Sequence, residues 1–297
     1  MAETSKVITS APAQAGARPR DDELDLFGLT HQGLVRSENE DQFLLCTVHP
    51  QVRVLGTSLP AVGELTEVTE RLATIMLVAD GVGGSAAGSR ASRLAAEAVT
   101  RHVATSLRCY QTASSAGHDE FESTLRAAAL EAHATVRNEA KARPDERGMA
   151  TTLSLGIVVW PWLYVVQVGD SRCYLYQNGA LRQITRDQTF AEELVNRGVF
   201  TREAANASPL AHVLSSALGA SEALPEVTRV DVRQRGCVVL VCTDGLTKHV
   251  TDAELSDRLG QMTSAEQVCG DLLALALERG GTDNVTMVVG RALTVPD

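Results

Sequence analysis

The chain has 297 residues, 44% of them hydrophobic and 22% charged, the balance of a soluble globular protein with room for a sizeable core. A formal net charge of −10 and a pI near 5.2 argue against nucleic acid and anionic membranes as partners. No apolar run approaches the roughly 18 residues of a membrane span, and the first residues lack the apolar stretch of a secretion signal. The six cysteines are dispersed without a CxxC pair and read as small buried thiols in a reducing cytoplasm. The seven histidines are equally scattered, which disfavours a zinc site.

Residues 1–21 are rich in Ala, Ser, Thr, Pro and Arg without a hydrophobic period, and are expected to form a disordered tail ahead of one domain over 22–297. Alternation from Leu24 predicts a first strand, and Phe43 to Val48 a second. Between them lies the polar turn Gly33 to Gln42, which carries Arg36 and the acids Glu38, Glu40 and Asp41. Gln51 to Leu55 is expected as a strand and Ser58 to Gly63 as a loop. Ile75 to Ala79 is apolar throughout, the mark of a strand buried on both faces, and it delivers Asp80 into the glycine turn Gly81 to Gly84.

Apolar residues at helical spacing, among them Ala91, Ala95, Val99 and Val103, predict a helix from Ser85 to about Leu107, with His102 on its packed face. A second stripe predicts a helix over Asp119 to Lys141, and two successive helices imply an antiparallel pair laid on a sheet. Four strands follow, Thr151 to Trp160, Leu163 to Val168, Arg172 to Gln177 and Leu181 to Ile184. Their turns are so short that antiparallel pairing is expected throughout. Residues 187–224 break this regularity with short helices and polar loops, as a flap beside a site does. Cys237 to Cys242 is another buried strand, ending at Asp244-Gly245. Two capped helices come next, through about Leu259 and Leu277, and then the polar turn Gly280 to Asn284 and a closing strand over Val285 to Val289.

Acids in turns at strand ends recur at five places: Glu40/Asp41, Asp80-Gly81, Asp170, Asp244-Gly245 and Asp283-Asn284. Any one alone reads as a solvated turn residue or a helix cap. No Lys or Arg stands within three residues of Asp80, Asp244 or Asp283 to pair locally. Carboxylates that converge without cations repel one another unless hard divalent metals neutralise them, and oxygen-only donors favour Mg²⁺ or Mn²⁺. Two such ions about 3.5–4 Å apart can drive an in-line attack on phosphorus. Arg36, four residues before Glu40, suits a phosphate through its planar guanidinium.

The order of Gly33-x-x-Arg36-x-x-Asn39-Glu40-Asp41, Val78-Ala-Asp80-Gly81-x-Gly83-Gly84, Gly148-Met-Ala-Thr151-Thr152, Val168-Gly-Asp170-Ser171-Arg172, Thr243-Asp244-Gly245 and Gly281-Thr-Asp283-Asn284-Val285-Thr286 resembles the metal-dependent type 2C Ser/Thr protein phosphatases, and the bacterial stand-alone domains most. Over about residues 24–292 the resemblance implies an α+β fold, a four-layer αββα sandwich of two antiparallel sheets flanked by helix pairs. It implies two Mn²⁺ or Mg²⁺ ions in the cleft between the sheets. Asp80 would bridge them; Asp244 and Asp283 would complete one site, and Glu40 with the Gly81 carbonyl the other. Asp41 would hold a coordinated water, Arg36 would clamp the substrate phosphate, and Asp170 with Asp244 matches the place of a third, weaker ion. The catalytic set so implied is Arg36, Asp80 and Asp244.

The implied activity is hydrolysis of phosphoserine and phosphothreonine on proteins, opposing a bacterial Ser/Thr kinase, by a monomer that needs neither nucleic acid nor membrane. A phosphatase of a phosphoserine regulator in a partner-switching pathway is a second reading, which Arg36 and the flap oppose. A non-catalytic pseudophosphatase scaffold is a third, which the intact acid positions oppose. Three departures stand out. Val82 replaces a histidine proposed as general acid in many animal members, Gln188 replaces a histidine common in bacterial ones, and the segment from about Val48 to Leu72 is long enough to carry a partner surface.

Overall fold

The strand Ala73–Ala79 has two working faces, and the layering of the molecule follows from them. Ile75, Leu77 and Ala79 point to one side, where they pack with Ala91, Ala95, Val99, Leu125, Ala128 and Ala132 of two long helices, Ser85–Thr105 and His118–Ala142. Met76 and Val78 point to the other side and meet Leu163, Val165, Val239, Val241 and Val288. The strand Val238–Cys242 alternates in the same way. Val239 and Val241 join that middle layer, while Leu240 and Cys242 pack under the helices Asp252–Gly260 and Ala265–Glu278. Side chains alternate across a strand with period two, so two strands buried at every position give three core layers and a four-layer molecule.

The computed structural model describes residues 6–8, 17–50, 70–83, 85–105, 110, 117–143, 146 and 148–294. Its strands are β1 (Lys6–Ile8), β2 (Leu24–His31), β3 (Gln42–Val48), β4 (Ala73–Ala79), β5 (Gly81–Val82), β6 (Ala150–Thr151), β7 (Leu153–Val159), β8 (Trp162–Val168), β9 (Arg172–Gln177), β10 (Ala180–Gln183), β11 (Glu226–Asp231), β12 (Val238–Cys242) and β13 (Val285–Ala292). One sheet runs β1-β11-β8-β7-β4-β3 and the other β10-β9-β12-β13-β2, with β5 and β6 as a small separate pair. The expected αββα sandwich is therefore present, and both helix pairs fall within a few residues of their predicted spans.

The structure corrects three local expectations. β7 pairs with β8 and β9 with β10, both antiparallel, but β8 and β9 lie in different sheets. A short turn usually folds a strand back on its neighbour; here Gly169, at φ +99°, turns the chain out of one sheet and into the other. Within residues 1–21, expected to be a disordered tail, Lys6–Ile8 runs parallel to β11, and the turn of 3₁₀ helix Asp21–Glu23 straddles the boundary expected at residue 22. His102 is partly exposed and pairs with Glu131 of the neighbouring helix at 2.5 Å. Gln51 to Leu55, Ser58 to Gly63 and most of the segment to Leu72 lie outside the described residues.

The sandwich brings the acid-bearing turns to one end. Asp80 follows β4, Asp244 follows β12, Asp170 joins β8 to β9, Asp283 precedes β13, and Glu40 with Asp41 precedes β3. The turns after β12 and before β13 are in backbone contact. A Cβ added at Gly245 would lie 1.8 Å from the Asn284 carbonyl oxygen, where no atom fits. Gly245→Ala is thus expected to destabilise the protein by at least about 1–3 kcal/mol, the usual cost of overpacking. Urea denaturation measures this, and a change within about 0.5 kcal/mol of zero would contradict the contact.

Candidate metal centre

Each acid is held by a backbone that has little freedom. Asp80 is pinned through its peptide: its N–H donates to Thr152 Oγ1 at 3.0 Å, and its carbonyl accepts from the Thr152 N–H at 2.9 Å and from Thr151 Oγ1 at 2.8 Å. Thr152 in turn shares a hydrogen bond with Ser171 at 2.7 Å, beside Asp170. The paired threonines of the Gly148 motif therefore fix the strand end that carries Asp80, a role their sequence context left unassigned.

The polar turn before β3 is stapled by Asn284. Its Nδ2 donates to the carbonyls of Gln32 and Glu38 at 2.8 and 2.9 Å, and its Oδ1 accepts from the Glu40 N–H at 2.9 Å. The Glu40 carboxylate lies against the first turns of the helix Ser85–Thr105, where a Cβ at Gly88 would come within 2.8 Å of Glu40 Oε2. Gly81 is equally close, since its Cβ would meet the Gly88 carbonyl at 2.3 Å. Glycine at both positions lets helix backbone, strand end and carboxylate approach without an intervening side chain.

The acids converge on a cleft of about 650 Å³ lined by Arg36, Glu40, Asp80, Gly81, Asp170, Asp244, Lys248 and Asp283. Asp41 lies beneath, 2% exposed, accepting from Thr243 Oγ1 at 2.9 Å. Burial, and beyond it the charges of Asp244 and Asp283, push the Asp41 carboxyl up to about 7. Burial and four neighbouring acids, Asp41 foremost, push Asp80 well above the carboxylate range. Asp170 is pushed up to about 8 by burial and by Asp244 and Asp187. In each, burial and neighbouring negative charge outweigh whatever positive charge is near.

Two cations partly supply it. Lys248 Nζ stands 2.7 Å from Asp244 Oδ2 and 2.6 Å from Asp283 Oδ2, and Arg36 Nε stands 2.8 Å from Asp283 Oδ1. Burial alone would raise Asp283; the Lys248 ammonium and the Arg36 guanidinium outweigh it and hold the group below its ordinary value. Lys248 lies four residues beyond Asp244, one helical turn on, just outside the window in which the sequence shows no local partner.

Among the described residues, no three acidic, imidazole or thiol groups lie close enough together to hold an ion in this arrangement, in which the two cations stand between the carboxylates. The donor set nevertheless fits hard divalent ions. It consists of oxygens only, and two buried carboxylate oxygens, Asp41 Oδ1 and Asp244 Oδ1, have no hydrogen-bond partner. Every acid named from the sequence as a ligand reaches this one end of the sandwich.

Residues 187–224 fold over the cleft as three short helical pieces, Phe190–Asn196, Arg202–Asn206 and Pro209–His212. Gln188 anchors them. Its Oε1 accepts from the Gly169 N–H and its Nε2 donates to the Leu224 carbonyl, both at 2.9 Å, so the amide in place of a histidine ties both ends of the segment to the sheet. Arg172 grips Asp187 through Nε and Nη2 at 2.9 and 2.7 Å. The flap brings Phe190, Val213 and His212 to the cleft that Val82 also lines. His212 is a cleft histidine that its polar sequence context did not reveal.

A family profile described as protein phosphatase 2C matches residues 63–278. The serine/threonine protein phosphatase PstP of Mycobacterium tuberculosis is 35% identical over 258 residues, which is 87% of this chain and 43% of that protein. The present chain thus spans less than half the length of that relative. The serine/threonine phosphatase stp of Listeria welshimeri is 33% identical over 215 residues, 72% of this chain and 83% of that protein. Among solved structures, the catalytic domain of PstP in complex with two manganese ions superimposes with a TM-score of 0.69 at 30% identity, covering 91% of this chain and 99% of that domain. The chain belongs to the protein phosphatase 2C family.

Proposed function

We propose that this protein is a Mn²⁺- or Mg²⁺-dependent phosphatase that hydrolyses phosphoserine and phosphothreonine on proteins. The observation that carries the reading is the gathering of Glu40, Asp80, Asp244 and Asp283 in one cleft with Arg36, above two buried carboxylate oxygens without partners. Asp80 would bridge two ions, with Asp244 and Asp283 on one side and Glu40 and the Gly81 carbonyl on the other; Asp41, directly below, would orient a coordinated water. Bound there, the ions supply a nucleophile at neutral pH and neutralise the charge that develops on the phosphoryl group.

The chain's own residues do the rest. Arg36 is half exposed at the mouth, with a side-chain exposure of 49%, and its single bond to Asp283 leaves guanidinium nitrogens to receive phosphate oxygens. Thr151, Thr152 and Asn284 hold the peptides of Asp80 and Glu40 so that carboxylate positions survive charge repulsion. Val82 offers no proton at the cleft, and no side-chain acid is assigned to the leaving alkoxide.

The bacterial relatives named as Ser/Thr phosphatases support a counterpart Ser/Thr kinase, and five thiols free among the described residues support a reducing cytoplasm. No helix among the described residues is long and apolar enough to cross a membrane. The catalytic unit is taken as residues 22–297, acting as a monomer.

p-Nitrophenyl phosphate and phosphothreonine peptides test the reading. Activity is expected with Mn²⁺, none with EDTA, and a loss on the order of 10²-fold or more in Asp244→Asn, since the charge lost faces an ion. Wild type as inactive as the variant in Mn²⁺ would contradict it, and activity confined to phosphotyrosine peptides would overturn the substrate class. Arg36→Ala is expected to raise KM for a phosphopeptide roughly tenfold with a smaller change in kcat, and Arg36→Lys to recover only part of it. Steady-state kinetics that leave KM unchanged would remove Arg36 from phosphate binding.

A further inference from the structure

Lys248 is a charged feature of the cleft that the metal-centre reading does not absorb. Its ammonium sits between two of the acids read as metal ligands, at 2.7 Å from Asp244 and 2.6 Å from Asp283. The tether is short: Lys248 follows the turn Asp244–Thr247, and its own N–H donates to the Asp244 carbonyl at 2.8 Å. That backbone bond sets the Lys248 Cα one helical turn from Asp244, within easy reach of its carboxylate. Two adjoining cavities, of about 650 and 280 Å³, meet at this point, and Asp170, Asp244 and Lys248 line both.

Charge balance gives the lysine a place. Ionised, as metal ligation requires, Glu40, Asp41, Asp80, Asp170, Asp244 and Asp283 would bring six negative charges to the site. Two divalent ions together with Lys248 and Arg36 neutralise that set completely, and a third divalent ion would leave it strongly positive. With Asp283 engaged by an ion, the ammonium keeps Asp244 and turns to Asp170, which lines both cavities together with Lys248 and Asp244. That is the edge, between Asp170 and Asp244, where family resemblance would put a third, weaker ion.

We infer that Lys248 is a built-in substitute for the third metal: its ammonium occupies the Asp170–Asp244 edge, so this chain takes up two divalent ions and excludes a third. The inference rests on the two-ion reading of the cleft. Lys248 acts as a charge-balancing, positioning residue, and its signature is the number of ions bound rather than the rate alone.

The test is equilibrium dialysis of the full chain against saturating MnCl₂, with bound metal counted by mass spectrometry. Wild type is expected to hold two Mn²⁺ per chain, Lys248→Met and Lys248→Asn three, and the charge-conserving Lys248→Arg two. Two neutral variants are included so that one folding failure, seen by circular dichroism, leaves the other to decide. Three ions in wild type, or two in a folded neutral variant, would overturn the inference while leaving the metal centre intact. Fewer than two in wild type would overturn the two-ion reading and this inference with it.

Discussion

The structure depends on holding like charges together. Six carboxylates meet at one end of a sandwich whose interior is largely apolar, and like charges brought so close repel one another. Burial and mutual repulsion push Asp41, Asp80 and Asp170 above the ordinary carboxylate range, whereas Asp283, in contact with Lys248 and Arg36, is held below it. The contrast among neighbours measures where positive charge is present and where it is wanting. Activity in such a site comes from charge that is concentrated by the fold and answered by cations.

The fold answers repulsion through the backbone rather than through the acids themselves. Asp80 is fixed by three hydrogen bonds to its peptide from Thr151 and Thr152, and Glu40 by the Asn284 staple. Gly81, Gly88 and Gly245 allow backbone to meet backbone or carboxylate at distances that any side chain would prevent. These contacts stand on the three apolar layers made by β4, β12 and the four long helices. Packing therefore secures the turns and the turns secure the acids, whose oxygens are shared among Lys248, Arg36 and Thr243, with Asp41 Oδ1 and Asp244 Oδ1 left without a hydrogen-bond partner.

Much of this was legible in the sequence, for identifiable reasons. Ile75 to Ala79 and Cys237 to Cys242 are apolar at every position, which only a strand covered on both faces requires, and both deliver an aspartate to a glycine turn. The helices carried their own spacing and caps, such as Thr251 at the start of Asp252–Gly260. What escaped was long-range. Asp170 bends the chain from one sheet to the other because of a positive φ at Gly169, which short-turn reasoning does not foresee. β1 pairs with a strand more than 200 residues away, and three residues in a polar tail carry no period that announces it. Lys248 reaches Asp283 across 35 positions, and it escaped notice beside Asp244 because helical neighbours stand four apart. Gln188 differs from its expected histidine yet ties the flap down with both ends of its amide.

The central claim is that these acids hold two divalent ions with Asp80 between them. Anomalous diffraction from crystals soaked in Mn²⁺ tests it most directly. The account predicts two anomalous peaks in the cleft, both within bonding distance of the Asp80 carboxylate, with Lys248 withdrawn from Asp283. Peaks that avoid Asp80, or a cleft without manganese at saturating concentration, would contradict it.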